Sequence, residues 1–260
     1  MSLESYTPSF EDIQRVRPQK DMLKVSGDGV FATLQGEGIT TGAPSVFLRL
    51  HYCNLTCGKS GGWKCDTGYT WDTDTPEFWQ EPNDWSYGDT ASRVETAWRN
   101  QFPESEEKRL VVTGGEPLIQ QRKIAGLLDE LHGWQVEIET NGTLMPIEEL
   151  SNCQFNCSPK LANSGNSLTR RYRPEVLRTI NSLPKSQFKF VVSNPADLEE
   201  VNFIVEDCGL DSSKVLIMPE GQTAEVVSQH AQAVQKAVEE KGWKMTMRNQ
   251  LIWFGDKRRT

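Results

Sequence analysis

The chain has 260 residues, enough for one sizeable α/β domain, with an ordinary globular composition of 37% hydrophobic and 25% charged residues. A net charge of −8 argues against nucleic-acid binding as its main business, because neutralising phosphates needs a basic surface. No apolar run approaches membrane-spanning length, and the polar start MSLESYTPSFEDIQRVRPQK has no apolar signal core, so a soluble, cytoplasmic protein is expected.

Residues 1 to about 27 read as an N-terminal arm. Residues 30–34, VFATL, are a short strand candidate running into the glycine-punctuated loop QGEG. A second strand spans 45–51, and three of the six cysteines, Cys53, Cys57 and Cys65, follow it directly. Residues 71–107 form an insertion carrying Trp71, Trp79, Trp85 and Trp98 among many acidic residues. Its first half reads as irregular and 90–101 as a helix. Beyond it the chain alternates. Strand 110–113 ends at Gly114-Gly115-Glu116-Pro117 and precedes a helix over 119–132. Strand 136–140 ends at Asn141-Gly142, and a short helix begins near Pro146. Strand 154–157 ends at Ser158-Pro159-Lys160 and leads to a helix over 175–182. Strand 187–192, helix 196–208 and strand 215–218 follow, the last ending at Pro219-Glu220-Gly221. A long helix over 224–241 precedes a closing strand, 243–247, in a C-terminal stretch whose basic Lys257-Arg258-Arg259 reads as a solvated tail.

Repeated strand–helix units imply parallel strands with crossover helices. Six or seven strands fall short of a closed eight-stranded barrel. The expected fold is therefore α/β: one domain over 1–260 built on a partial, open parallel β/α barrel. The polar residues gather just after the strands, at the edge where such folds bind ligands, so five loops should converge on one mouth.

Clustered, unevenly spaced cysteines fit metal ligation better than a disulfide framework. Three thiolates from one loop are one short of the usual structural zinc set. They are also one short of saturating a four-iron cluster, which leaves one iron open to a ligand. A zinc site completed by His51 or Cys157 stands as the alternative. Cys153 and Cys208 read as buried structural thiols, and Cys157 as core. Arg49 lies in the apolar strand VFLRL, where an unpaired charge is expensive. It either pairs internally with Glu37 or Glu139, or forks onto a ligand carboxylate. Gly114-Gly115 lets backbone come close to a ligand, or simply turns a strand into a helix begun by Pro117. The tryptophan-rich insertion reads as a small satellite core, with a lid or docking face as the alternative.

Taken in order, several motifs resemble the 7-carboxy-7-deazaguanine synthase family of the radical S-adenosylmethionine (SAM) superfamily. They are LQGEG at 34–38, Arg49 four residues before the first cysteine, the cysteine loop with CDT at 65–67, TGGEP at 113–117, ETNG at 139–142 and SPK at 158–160. The resemblance covers about residues 30–221. It implies a 4Fe–4S cluster on Cys53, Cys57 and Cys65, whose open iron takes the amino and carboxylate groups of SAM. It places SAM contacts at Lys64, Cys65 and Asp66, at Gly115 and Glu116, at Ser158, Pro159 and Lys160, and at Met218, Pro219, Glu220 and Gly221. The implied substrate, 6-carboxy-5,6,7,8-tetrahydropterin, would meet Leu34, Gln35, Gly36, Glu37, Arg49 and Thr113, with Mg²⁺ held by Thr67 and the substrate. The implied reaction is a radical ring contraction with loss of ammonia, on the route to 7-deazapurines such as queuosine. A flavodoxin- or ferredoxin-like reductant and a homodimer are implied as well.

Two other readings share some of these features. One is an activase forming a glycyl radical on a partner protein. The other is a non-enzymatic zinc- or cluster-binding module. The chain also departs from the family pattern. Seven residues, GKSGGWK, separate Cys57 from Cys65 where the superfamily has two, and Trp63 stands one position early for the aromatic before the third cysteine. Tyr52 replaces a small residue. No histidine follows His230, so Arg248-Asn249-Gln250 stands in the C-terminal region from which family members often bring a histidine to the substrate.

Overall fold

The computed structural model describes residues 6–255, so the basic tail lies outside the described residues. Among them nine strands form one sheet: β1 Leu23–Leu34, β2 Pro44–Leu50, β3 Pro82–Trp85, β4 Arg109–Gly114, β5 Gln135–Thr140, β6 Gln154–Cys157, β7 Ser186–Val192, β8 Val215–Pro219 and β9 Lys244–Met245. Their spatial order is β3-β1-β2-β4-β5-β6-β7-β8-β9. The run from β2 through β4 to β9 is parallel throughout. Strands β1 and β3 are antiparallel additions. β3 and β9 are the edges, so the sheet is open. The parallel strands are buried because they are apolar on both faces: Leu110, Val111, Val112, Phe188, Phe190, Val215 and Ile217 are all 0% exposed. Crossover helices such as Pro174–Ser182, Asp197–Cys208 and Ala224–Lys241 bury one apolar face each against them.

Three expectations need correction. The supposed N-terminal arm holds a helix, Phe10–Arg15, and the first half of β1. A bulge between the Val25–Leu50 and Val30–Leu48 pairs breaks the alternation that would have revealed one long strand. The insertion is regular: a short helix, Pro76–Gln80, then β3 paired to β1, then the helix Tyr87–Gln101. Trp98 from that helix is 2% exposed and belongs to the main core, with Trp134 edge-on at 5.5 Å. The closing strand shrinks to Lys244–Met245, and the chain then turns into the helix Asn249–Phe254. Smaller differences are a 3₁₀ turn, Pro117–Gln120, before the helix Gln121–Leu128, and a 3₁₀ turn, Glu148–Leu150, where a short helix was expected.

One face of β5–β7 carries a buried polar row: Glu137, Asn156, Gln187 and Lys189. The loop after β1 lies across it. Thr40 Oγ1 donates to Glu137 Oε2 (3.0 Å), the Ile39 N–H to Gln187 Oε1 (3.0 Å) and the Gly38 N–H to Thr246 Oγ1 (2.9 Å). Glu37 closes the series on Lys189. A polar loop thus fills the space an open sheet leaves on that face, with each polar side chain in the row satisfied.

Candidate active site

A cavity of about 500 Å³ opens at the C-terminal ends of the parallel strands. Every residue expected at the site lines it except Glu116, Pro159 and Pro219. The register of β2 on β4 sets Arg49 beside Thr113, and Leu50 beside Gly114.

At one end the cavity wall holds Cys53, Cys57 and Cys65. Tyr52 turns the chain into this loop in the left-handed region at φ 82°, costly for a bulky side chain. Its hydroxyl is tied to the carbonyl of Val16. Three N–H groups already face the sulfurs: Asn166 Nδ2 donates to Cys57 Sγ (3.2 Å), and the Leu55 N–H (3.5 Å) and Asn141 Nδ2 (4.0 Å) donate to Cys53 Sγ. Such donors suit thiolates carrying an iron–sulfur cluster. Burial pushes the Cys53 thiol up to about 12 and raises Cys57 as well. A cationic metal centre held there would favour their thiolate forms.

The zinc alternative loses its fourth ligand. His51 is fully buried on Ser26 and Phe78, and Cys157 is fully buried in the core; neither lines the cavity. Burial, with Lys24 adding to it, pushes His51 down to about 4. Among the described residues no three His, Cys, Asp or Glu side chains are placed to hold a single metal ion. The donor set fits a multi-iron centre bound by three thiolates.

The long span between Cys57 and Cys65 is docked. The Gly58 N–H donates to the Ser164 carbonyl (3.0 Å), and Trp63 donates through its backbone and its indole to Asn163 (3.1 and 3.0 Å). The loop is thereby pinned to the turn Ala162–Ser164 after β6, and Cys65 returns to the cavity wall. Lys160 Nζ lies 5.7 Å from the centre of the Trp63 ring.

The GGEP loop packs directly beneath the cysteine loop. The Glu116 N–H donates to the Tyr52 carbonyl (2.8 Å). A Cβ on Gly115 would stand 2.2 Å from that carbonyl oxygen and 2.7 Å from the Cβ of Cys53. Glu116 is fully buried under the floor and accepts from the Leu118 N–H (3.0 Å), Thr140 Oγ1 (2.8 Å) and the Asn141 N–H (2.6 Å). Burial pushes its carboxyl up against those donors. Its contacts tie the ends of β4 and β5 together, while Asn141 Nδ2 donates to Asn54 Oδ1 (2.9 Å) inside the cysteine loop. Gly115→Ala is therefore expected to lose about 1–3 kcal/mol of stability and most of its cluster iron. Gly88→Ala, in open space on a helix, should lose neither. Denaturant melts and iron assays of both variants check this.

The other end of the cavity is charged. Lys189 sits between Glu37 (2.5 Å) and Glu139 (3.4 Å). Arg248 Nε lies 3.4 Å from Glu37, and Gln250 Nε2 donates to Glu37 at 2.7 Å. Burial would raise the Glu37 carboxyl, but Lys189 and Arg248 outweigh it and hold the group down at about 2. For Glu139 burial prevails over Lys189, and its carboxyl is raised. Burial alone would lower the Lys189 ammonium; the two glutamates raise it instead. The internal pairing considered for Arg49 is not made. Among the described residues it has no carboxylate partner, and its guanidinium lies 5.6 Å from the centre of the Phe31 ring. Arg49 thus lines the cavity as a half-buried cation with no internal counter-ion. Thr67 Oγ1 stands 3.4 Å from the Gly114 carbonyl and 3.5 Å from Cys65 Sγ, and Asp66 accepts from Arg248 Nη2 at 2.8 Å.

Sequence reasoning missed Lys189, Arg248 and Gln250. Lys189 carried the signal used for Arg49, a cation inside an apolar strand. Arg248 and Gln250 carried only the signal of standing in the C-terminal region from which family members often bring a histidine to the substrate, with no role assigned to either.

An open, mostly parallel sheet with three thiols and a glycine loop at its C-terminal mouth has the architecture of the radical SAM class. The crystal structure of QueE from Escherichia coli superposes with a TM-score of 0.64 over 92% of this chain and 99% of that one, at 23% identity, and shares the fold. A 7-carboxy-7-deazaguanine synthase of Pyrobaculum aerophilum is 34% identical over 235 residues, 88% of this chain and 94% of the relative. One of Rhodopirellula baltica is 31% identical over 88% of this chain and 86% of the relative. No family model matches the chain. The chain belongs to the 7-carboxy-7-deazaguanine synthase family, which displaces the activase and the non-enzymatic module.

Proposed function

We propose that the chain converts 6-carboxy-5,6,7,8-tetrahydropterin to 7-carboxy-7-deazaguanine by ring contraction with loss of ammonia. The observation that carries this reading is one cavity lined both by the three thiols and by Gln35, Glu37 and Arg49, a cation with no carboxylate partner among the described residues. A cavity of that size suits a cofactor together with a small planar substrate.

Cys53, Cys57 and Cys65 would hold the 4Fe–4S cluster, with Gly115, Ser158, Lys160, Met218 and Gly221 walling the SAM side. Bound together, cluster and SAM supply a reductive cleavage that yields a hydrogen-abstracting carbon radical. Arg49 forks onto the substrate carboxylate with paired hydrogen bonds. Glu37, held ionised by its two cations, accepts from the amine edge of the pterin, and Thr113 stands beside Arg49 to fix the ring between them. Thr67 offers one hydroxyl to Mg²⁺, a hard ion that keeps several waters and would share the substrate carboxylate. The whole chain acts as one domain. A flavodoxin- or ferredoxin-like donor, a homodimer and a cytoplasmic location complete the reading. No helix of the described residues is long and apolar enough to cross a membrane.

The test is anaerobic incubation of the reconstituted protein with the pterin, SAM, Mg²⁺ and reductant, read by mass spectrometry. 7-Carboxy-7-deazaguanine is the expected product. SAM cleavage with the pterin unchanged would overturn the substrate while leaving the class. Arg49→Gln is expected to raise the KM for the pterin about 30-fold or more, with SAM cleavage retained; steady-state kinetics measure it.

A further inference from the structure

The segment after β9 forms a strap across the cavity mouth, from one edge of the sheet to the loop leaving β1. Thr246 Oγ1 accepts the Gly38 N–H (2.9 Å), and the Asn249 N–H donates to the Gly36 carbonyl (3.1 Å). Gly36 is pressed so closely that a Cβ there would stand 2.1 Å from Gln250 Oε1. Within this strap one side chain reaches three loops. Arg248 Nε faces Glu37 (3.4 Å), its Nη2 donates to Asp66 Oδ2 (2.8 Å), and its Nη1 donates to the Gly221 carbonyl (2.9 Å). Glu37 lies on the loop that meets the pterin in the proposed function. Asp66 follows the third cysteine, and Gly221 lies beyond β8 on the SAM side.

Each contact is modest alone. Asp66 is two-thirds exposed, and a pair on such a carboxylate contributes little to stability. Their geometry is what matters. A guanidinium is a planar, rigid fork, so bonds made by its separate nitrogens hold their acceptors in fixed mutual positions. The Arg248 side chain is 17% exposed and lines the cavity, so a ligand that shifts any of the three loops meets a restraint shared with the other two.

We propose that Arg248 is a positioning residue that couples the two halves of the cavity, so that SAM and the pterin each tighten binding of the other. This rests on the function proposed above. By linkage the coupling is reciprocal, and one factor describes it from either side.

Calorimetric titration of the pterin into cluster-loaded protein, with and without saturating SAM and with no reductant, measures that factor. In the native chain SAM should tighten pterin binding about fivefold or more. In Arg248→Ala the factor should fall below about twofold, with the fold and the iron content retained. Asp66→Ala removes only the cysteine-loop contact. It should lower the factor while pterin binding without SAM stays native, and it carries the test if Arg248→Ala does not fold. A native chain with no coupling, or variants that keep it in full, overturns the inference. A native chain that binds SAM but not the pterin overturns the function instead.

Discussion

Lys189→Met is expected to cost about 3–5 kcal/mol of unfolding free energy at neutral pH and to abolish pterin binding. The lysine is 5% exposed and faces two carboxylates, Glu37 and Glu139, in the same cavity. Methionine keeps the volume but leaves two buried carboxylates with one cation fewer. The pH dependence has a definite sign. In the native chain Glu37 is held at about 2, below its ordinary value. Its contribution to stability is therefore present above about pH 4.5 and disappears as the pH falls toward about 2. In the variant the buried carboxyls are raised above their unfolded values. Protonation then relieves them, and the deficit should shrink as the pH falls from about 8 to about 5.5. Urea melts of native and variant protein across that range measure both effects. A deficit below about 1 kcal/mol, or one that grows on acidification, would mean the lysine is not the counter-ion of this cluster.

The largest loss of activity is expected from Cys53, Cys57 or Cys65. Replacing any one by alanine should bring iron close to background and lower SAM cleavage by about a thousandfold or more, because a 4Fe–4S cluster with two protein thiolates is not retained. Cys153, Cys157 and Cys208 supply the contrast. All three are buried and none lines the cavity, so their alanine variants should lose packing stability and keep their iron. Iron analysis and the charge-transfer absorption of all six variants, prepared anaerobically, decide the matter. Cluster retained in Cys65→Ala but lost in Cys157→Ala would move the third ligand into the core and refute the site.

The parallel strands were legible because burial on both faces writes them as unbroken apolar runs, such as Leu110-Val111-Val112 and Val215-Leu216-Ile217-Met218. The cysteine loop and the polar residues after each strand were legible for a related reason: chemistry-bearing side chains are out of place at strand ends unless something gathers them. β1 was half hidden because a bulge destroys its period of two. β3, Pro-Asn-Asp-Trp, was hidden because an edge strand can be polar and begin with proline. Asn249–Phe254 is too short for helical periodicity to speak. Lys189 was missed through inconsistency, since its setting in Phe-Lys-Phe-Val-Val matches that of Arg49 in Phe-Leu-Arg-Leu. Arg248 and Gln250 stood in a region marked for the substrate, but their partner, Glu37, became visible only when folding brought them to it.

The loop across the polar row also bears on the order in which the molecule assembles. Its bonds join residues far apart along the chain: Glu37 to Lys189 spans 152 residues, Gly38 to Thr246 spans 208, and Glu37 to Gln250 spans 213. Contacts of such separation carry the highest loop-closure entropy and form late. The strands from β4 to β8 pair with their sequence neighbours and can condense first. Catalytic competence is thus the final event of folding, and a nascent chain halted before residue 246 would present a nearly complete sheet with an unfinished pocket.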